Sequence, residues 1–277
     1  MIKGIIKVIL VIFIVFSFSA CEDKSSNSQA EKKEEQVKFT PKLKMPEWDK
    51  DGGKKIWDEY KNWHDAKNDP IPATKIGYAY SEKLHDYEKA LEWYKYADSM
   101  IPLGENSYFA CYALQQLKKY DEAISWCQKA IDLKWNEALF RMGDIYKELN
   151  NYEKAISYYE QSFEKSKDKI SANNLGFIFS RKLNNYQEAE KWYKKAIKLD
   201  NYESYKNISS LYHEKLKDDI KASAYAIAVI DTKYTKSSVL RVLQNEMKIP
   251  NETIKKGYEL QLNSDEFPIK FKGDLGL

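Results

Sequence analysis

The sequence predicts an all-α protein, a solenoid of helix hairpins closed by a capping helix at each end. Three observations carry this. One eleven-residue phrase returns at a near-constant period: YEKALEWYKYA (87–97), YDEAISWCQKA (120–130), YEKAISYYEQS (152–162), YQEAEKWYKKA (186–196), with a degenerate fifth copy, IKASAYA (220–226). Small and aromatic residues within each phrase fall three and four apart, the spacing of one helix face. Gly and Pro number only 10 and 7 in 277 residues, which favours long regular elements over loop-built α/β enzymes.

Charge and composition narrow the function. Lys and Arg total 45 against 42 Asp and Glu, a net of +3. Lys3 and Lys7 stand in the first twenty residues without an acid, so beyond them the balance falls to +1. A nucleic-acid binder would need a basic surplus on one face. Three basic residues are arginine, Arg141, Arg181 and Arg241, which argues against phosphate recognition as the theme.

Residues 1–20, MIKGIIKVILVIFIVFSFSA, read as a signal peptide. The uncharged run from Val8 to Ala20 is too short to span a bilayer and fits a secretory apolar core. Phe18, Ser19, Ala20 and Cys21 resemble the lipobox of bacterial lipoproteins, although Leu is usual at the first position. The resemblance implies acylation of Cys21 (palmitate included) and a lipid anchor in the cell envelope. Glu22 at the next position favours the outer membrane facing the periplasm, with the inner membrane or cell surface as alternatives. Residues 21–45 are polar and charged with little to bury, a tether reaching about 25–30 Å. In residues 46–72, Ile56, Trp57, Tyr60 and Trp63 share one helical face, and Asp69, Pro70, Ile71 and Pro72 break the chain before the array.

The repeats occupy residues 73–231. Their anchor alanines, Ala90, Ala123, Ala155, Ala189 and Ala222, lie 33, 32, 34 and 33 apart. A partner helix precedes each phrase. Its close-approach point is Gly77, Cys111, Gly143, Gly176 or Ser209. A mid-helix Gly costs about 1 kcal/mol against Ala, so its recurrence points to helix–helix contact. Three turns, near Leu84–His85, Leu183–Asn184 and Leu216–Lys217, are one residue longer than the others. In residues 232–277, Thr235–Met247 reads as a helix, Asn251 as the N-cap of a last helix through about Asn263, and the segment after Asp265 as either extended along the cap or disordered.

The array resembles the tetratricopeptide repeat, with a leaning to the Sel-like repeat. The resemblance implies a right-handed α–α superhelix, a protein-binding scaffold, no catalysis and no cofactor. It also implies a concave groove lined by the first helix of each hairpin. The exposed side of those helices holds Tyr78, Tyr108, Tyr112, Phe140, Asp144, Asn173, Phe177, Arg181, Lys206 and Ser210: aromatic at one end, polar and basic at the other. Asn173, Arg181 and Lys206 match the family's carboxylate clamp only in part. The expected partner is a protein or peptide in this groove. Alternatives are an immunity lipoprotein that neutralises a secreted toxic effector, and binding of cell-wall polymer.

Other chemistry finds little support. His64, His85 and His213 are far apart and read as surface residues. No Cys-x-x-Cys, phosphate loop or nucleophile elbow occurs, and no metal set stands out. Cys111 and Cys127 lie 16 residues apart in the two helices of one repeat. Export permits a disulfide between them, but two unbridged thiols packed as small core residues are the expected state.

Overall fold

The computed structural model describes residues 69–277. The signal segment, Cys21, the tether and most of the N-terminal capping segment, His64 included, lie outside the described residues. Those described form twelve α-helices and no strand: α1 (Pro70–Leu84), α2 (Tyr87–Met100), α3 (Gly104–Gln116), α4 (Tyr120–Asp132), α5 (Glu137–Glu148), α6 (Tyr152–Ser166), α7 (Lys169–Arg181), α8 (Tyr186–Ile197), α9 (Tyr202–Leu211), α10 (Asp219–Ala228), α11 (Lys236–Arg241) and α12 (Asn251–Asn263).

Helix ends follow from local chemistry. Asp69 accepts a hydrogen bond from the Ile71 amide, and Pro70 opens α1. The prolines expected to break the chain therefore start the first helix, since a first-turn proline gives up an amide that has no partner anyway. Asp86, Asn151, Asn185, Asn201 and Asp218 each accept from the amide three residues on. For α12 the capping position is Pro250, with Asn251 as first helical residue. Thr235 caps α11, which gives way at Val242–Glu246 to a π-helical turn.

The turns explain the scarcity of glycine differently from the sequence reading. His85, Lys118, Lys134, Asn150, Lys167, Asn184, Asp200 and Lys217 all have φ between 52° and 67°. The left-handed corners are present, but Lys, Asn, Asp and His fill them. In α3–α4 and α5–α6 the closing amide reaches back five residues, Lys119 to Leu114 and Asn151 to Tyr146. In the three longer turns it reaches back six: Asp86 to Tyr80, Asn185 to Phe179, Asp218 to Tyr212. The extra residue is taken up by a wider closure, and after α9 it forms a π-helical turn at Tyr212–Leu216.

Packing has one recurring joint. Gly77, Gly143 and Gly176 face the rings of Tyr94, Tyr159 and Tyr193 in the partner helix, so closely that an added Cβ would sit 2.5–2.7 Å from ring carbon. The five anchor alanines are fully buried. In the second hairpin Cys111 stands in the glycine register and Cys127 in the tyrosine register. The structure bonds them, with Cα atoms 5.2 Å apart. This corrects the expectation of two free thiols: the hairpin's closest contact brings those Cα atoms within disulfide reach. In the fifth hairpin Ser209 Oγ donates to the Ala222 carbonyl at 2.7 Å.

The C-terminal segment packs on this array. Gly257 of α12 meets Ser223 and the Ile220 carbonyl of α10. The tail then follows an irregular path, with a turn at Asp265–Glu266, and buries Phe267, Phe271 and Leu275. The Gln261 side chain donates to the Phe271 carbonyl at 2.7 Å and accepts from the Phe271 amide at 3.1 Å. Lys194 donates to Glu190 and Glu266, which also accept from the Tyr212 and Tyr225 hydroxyls. A part-buried network thus ties the tail to α8, α10 and the turn after α9.

Candidate functional site

First helices of neighbouring hairpins approach one another directly, α1 with α3, α3 with α5 and α7 with α9. They form one layer, and side chains bridge it at about the repeat spacing. Thr74 donates to Asn106, Arg141 to Tyr108, Gln115 to Glu148, and Ser204 and Asn207 to Asn173. The groove residues read from the sequence all lie on these helices, but they differ in how free they are.

At the N-terminal end the layer is aromatic. Tyr78 is 46% exposed and meets the Phe109 ring edge-on at 6.0 Å. Tyr108 follows at 5.5 Å from Phe109. Tyr112, half-buried, meets Tyr87 edge-on at 6.0 Å. Burial, then Glu82, pushes its hydroxyl up to about 12, with Arg141 pulling the other way. Phe140 lies 5.9 Å from the Tyr159 ring. Arg141 joins the set: its guanidinium sits 4.7 Å from the Tyr112 ring centre, 5.6 Å from Tyr108 and 5.8 Å from Phe140. Arg141 is not among the groove residues expected from the sequence. Its place on α5 directly after Phe140, and its being one of three arginines, were the available signals.

Farther along, several predicted residues are committed to the fold. Asp144 accepts from the buried Tyr159 hydroxyl at 2.6 Å and from Lys147 at 2.8 Å. Burial, then Asp144, holds the Tyr159 hydroxyl well above its ordinary range. Asn173 accepts from Ser204 and Asn207. Arg181 forms a two-pronged pair with Glu214 at 2.5 and 3.2 Å. The hydrogen bond from Arg181, then the proximity of its charge, outweighs burial and lowers the Glu214 carboxyl. Lys206 lies 3.8 Å from Glu203. The basic end expected from the sequence is therefore electrically compensated: the next hairpin supplies Glu214 to Arg181, and Glu203, on α9 itself, faces Lys206. Arg181 is no longer free to clamp a carboxylate, and Asn173 has its carbonyl oxygen engaged. Phe177 alone of this stretch leaves a large ring 38% exposed.

Lys206 and Ser210 also border a cleft of ≈ 550 Å³ between α9, the end of α10 and α11, floored by Val229, Val239, Val242 and Met247. His213 on its rim pairs with Asp219 at 2.7 Å, so it is half-buried and partnered rather than a plain surface residue. His85 sits in the left-handed corner after α1. Among the described residues no three His, Cys, Asp or Glu side chains group to hold a metal, and no helix is long and apolar enough to cross a membrane.

Comparison with known proteins agrees with this geometry. A tetratricopeptide-repeat family profile matches residues 110–134, 137–166 and 171–203, and a Sel1-repeat profile matches 74–97. Among solved structures, PilF of Pseudomonas aeruginosa is similar at 15% identity and a TM-score of 0.55, over 74% of this chain and 96% of that one. A chain of the Cut9–Hcn1 hetero-tetramer of APC/C is similar at 17% identity and 0.55, over 78% of this chain and 44% of that one. At these identities the likeness is one of fold. No curated protein matches the chain. The chain carries tetratricopeptide and Sel1 repeats in an all-helical solenoid. Such repeats generally serve as protein-interaction scaffolds and are typically non-catalytic.

Proposed function

We propose that this protein is a membrane-anchored scaffold that holds a protein partner on its first-helix face and performs no chemistry itself. The observation that carries the reading is the contiguous surface of Tyr78, Tyr108, Tyr112, Phe140 and Arg141 across α1, α3 and α5. Tyr and Arg are the side chains that anchor protein interfaces, combining large contact area with a polar handle. Core packing does not require Tyr78 or Phe177, both of which remain exposed. The anchor rests on the Cys21 motif: two or more acyl chains at about 0.8 kcal/mol per buried CH₂ give stable membrane residence.

The test is affinity capture from a detergent extract of the cell envelope with the full chain. The wild type retains a specific protein, and Tyr78→Ala with Phe177→Ala releases it at an unchanged melting temperature. Cys21→Ser moves the chain out of the membrane fraction. Undiminished capture by the double variant sinks the groove reading, and membrane retention of Cys21→Ser sinks the anchor.

A further inference from the structure

We infer that Arg141 is an anion-reading centre on the first-helix face, and that the partner places an acidic side chain flanked by apolar groups against it. This rests on the reading of that face as the partner surface and names the chemistry it selects.

The three arginines differ in what compensates them. Arg181 has both carboxylate oxygens of Glu214. Arg241 has Glu246 at 3.7 Å. Arg141 has neutral partners: Nη1 donates to the Gln115 side-chain carbonyl at 3.3 Å and Nη2 to the Tyr108 hydroxyl at 3.1 Å. Gln115, itself buried, turns its amide nitrogen to Glu148 at 2.8 Å. It thus stands between the cation and that acid and fixes the guanidinium in place. A guanidinium has five N–H donors; these two bonds use two, and Nε is buried without an acceptor.

The aromatic setting sharpens the selection. Three rings, Tyr112, Tyr108 and Phe140, lie within 6 Å of the guanidinium carbon. They offset part of the charge and exclude water from it. A half-buried cation whose hydrogen-bond partners are neutral gains most from an incoming carboxylate, whose two oxygens match the planar fork. The rings then favour apolar groups beside that carboxylate.

The test titrates three labelled peptides into the full chain by fluorescence anisotropy. They are acetyl-Ala-Leu-Glu-Phe-Ala-amide, the same peptide with Gln for Glu, and the Gln peptide with a free C-terminal carboxylate. The Glu peptide is expected to bind about tenfold or more tightly than the Gln amide, the size of one charge-assisted hydrogen bond. The free-acid Gln peptide should bind like the Gln amide. R141Q should abolish the Glu preference, and R141K should keep part of it, which separates charge from fold. Equal binding of Glu and Gln peptides, a Glu preference surviving in R141Q, or no binding at millimolar peptide overturns the proposal. Binding of the free-acid peptide like the Glu peptide overturns the choice of a side-chain carboxylate. If R141Q still captures a protein that Tyr78→Ala with Phe177→Ala releases, the first-helix face stands and this inference falls.

Discussion

Replacing Gly143 by Ala sets two effects of opposite sign against each other. Helix propensity alone predicts a gain of about 1 kcal/mol for Gly→Ala in a helix interior. The contact predicts a loss. A Cβ on Gly143 would lie 2.6 Å from both Cδ1 and Cε1 of Tyr159 and 2.9 Å from Cγ. That ring is fully buried and its hydroxyl is held by Asp144 at 2.6 Å, so it cannot swing aside without breaking that bond. Overpacking of this kind costs about 1–3 kcal/mol, occasionally more. With three ring atoms inside 3.0 Å the upper part of that range applies. The net expectation is a loss of about 1–2 kcal/mol, or a fall of about 2–8 °C in melting temperature for a domain of this size. Urea titration followed by far-ultraviolet circular dichroism measures it. The same substitution in a Tyr159→Leu background should become stabilising, since the ring that opposes it is gone. A Gly143→Ala variant more stable than the parent, or no change of sign in the Tyr159→Leu background, would refute the claim that ring contact dictates glycine here.

Two further predictions concern the joints and the tail. Replacing both Cys111 and Cys127 by Ser should lower stability by about 3 kcal/mol, the chain-entropy value for a loop of about this length. Reductant should shift the parent's urea midpoint toward the variant's, and a midpoint insensitive to both changes would contradict the bonded pair. Acid should weaken the tail network. Burial pushes the Glu190 and Glu266 carboxyls up, but hydrogen bonds from Lys194 and from the Tyr212 and Tyr225 hydroxyls outweigh it and hold both below their ordinary range. Depressed folded-state values mean the stabilisation is complete above the unfolded value near about pH 4.3 and is lost as pH falls through the lower folded values. The melting temperature should be flat near neutrality and fall below about pH 4.3, with a shallower fall in Lys194→Gln; identical acid profiles for the two proteins would count against the network.

Much of the fold was legible because it repeats. The anchor alanines at 90, 123, 155, 189 and 222 mark a fully buried seam, and a period read four times over averages out local ambiguity. Even the disulfide was latent in the pattern. Cys111 lies where the first, third and fourth hairpins have Gly, and Cys127 where they have Tyr, but reading the two registers together was needed to see that they meet. The groove was less legible. Which side chains share the first-helix layer follows from periodicity, whereas which of them stay free depends on partners about 33 residues away. Glu214 reaches Arg181 across that distance, and Arg141 reaches Tyr108. A local pattern carries no information on such pairings.

The sequence by itself therefore determined the helices, their period and the points where they touch, because burial and helix geometry act over three to four residues. Only the tertiary structure decided which charges are compensated and which remain open. That depends on the offset between neighbouring hairpins, which brings Glu214 to Arg181 but places a neutral glutamine and tyrosine, and no carboxylate, at Arg141.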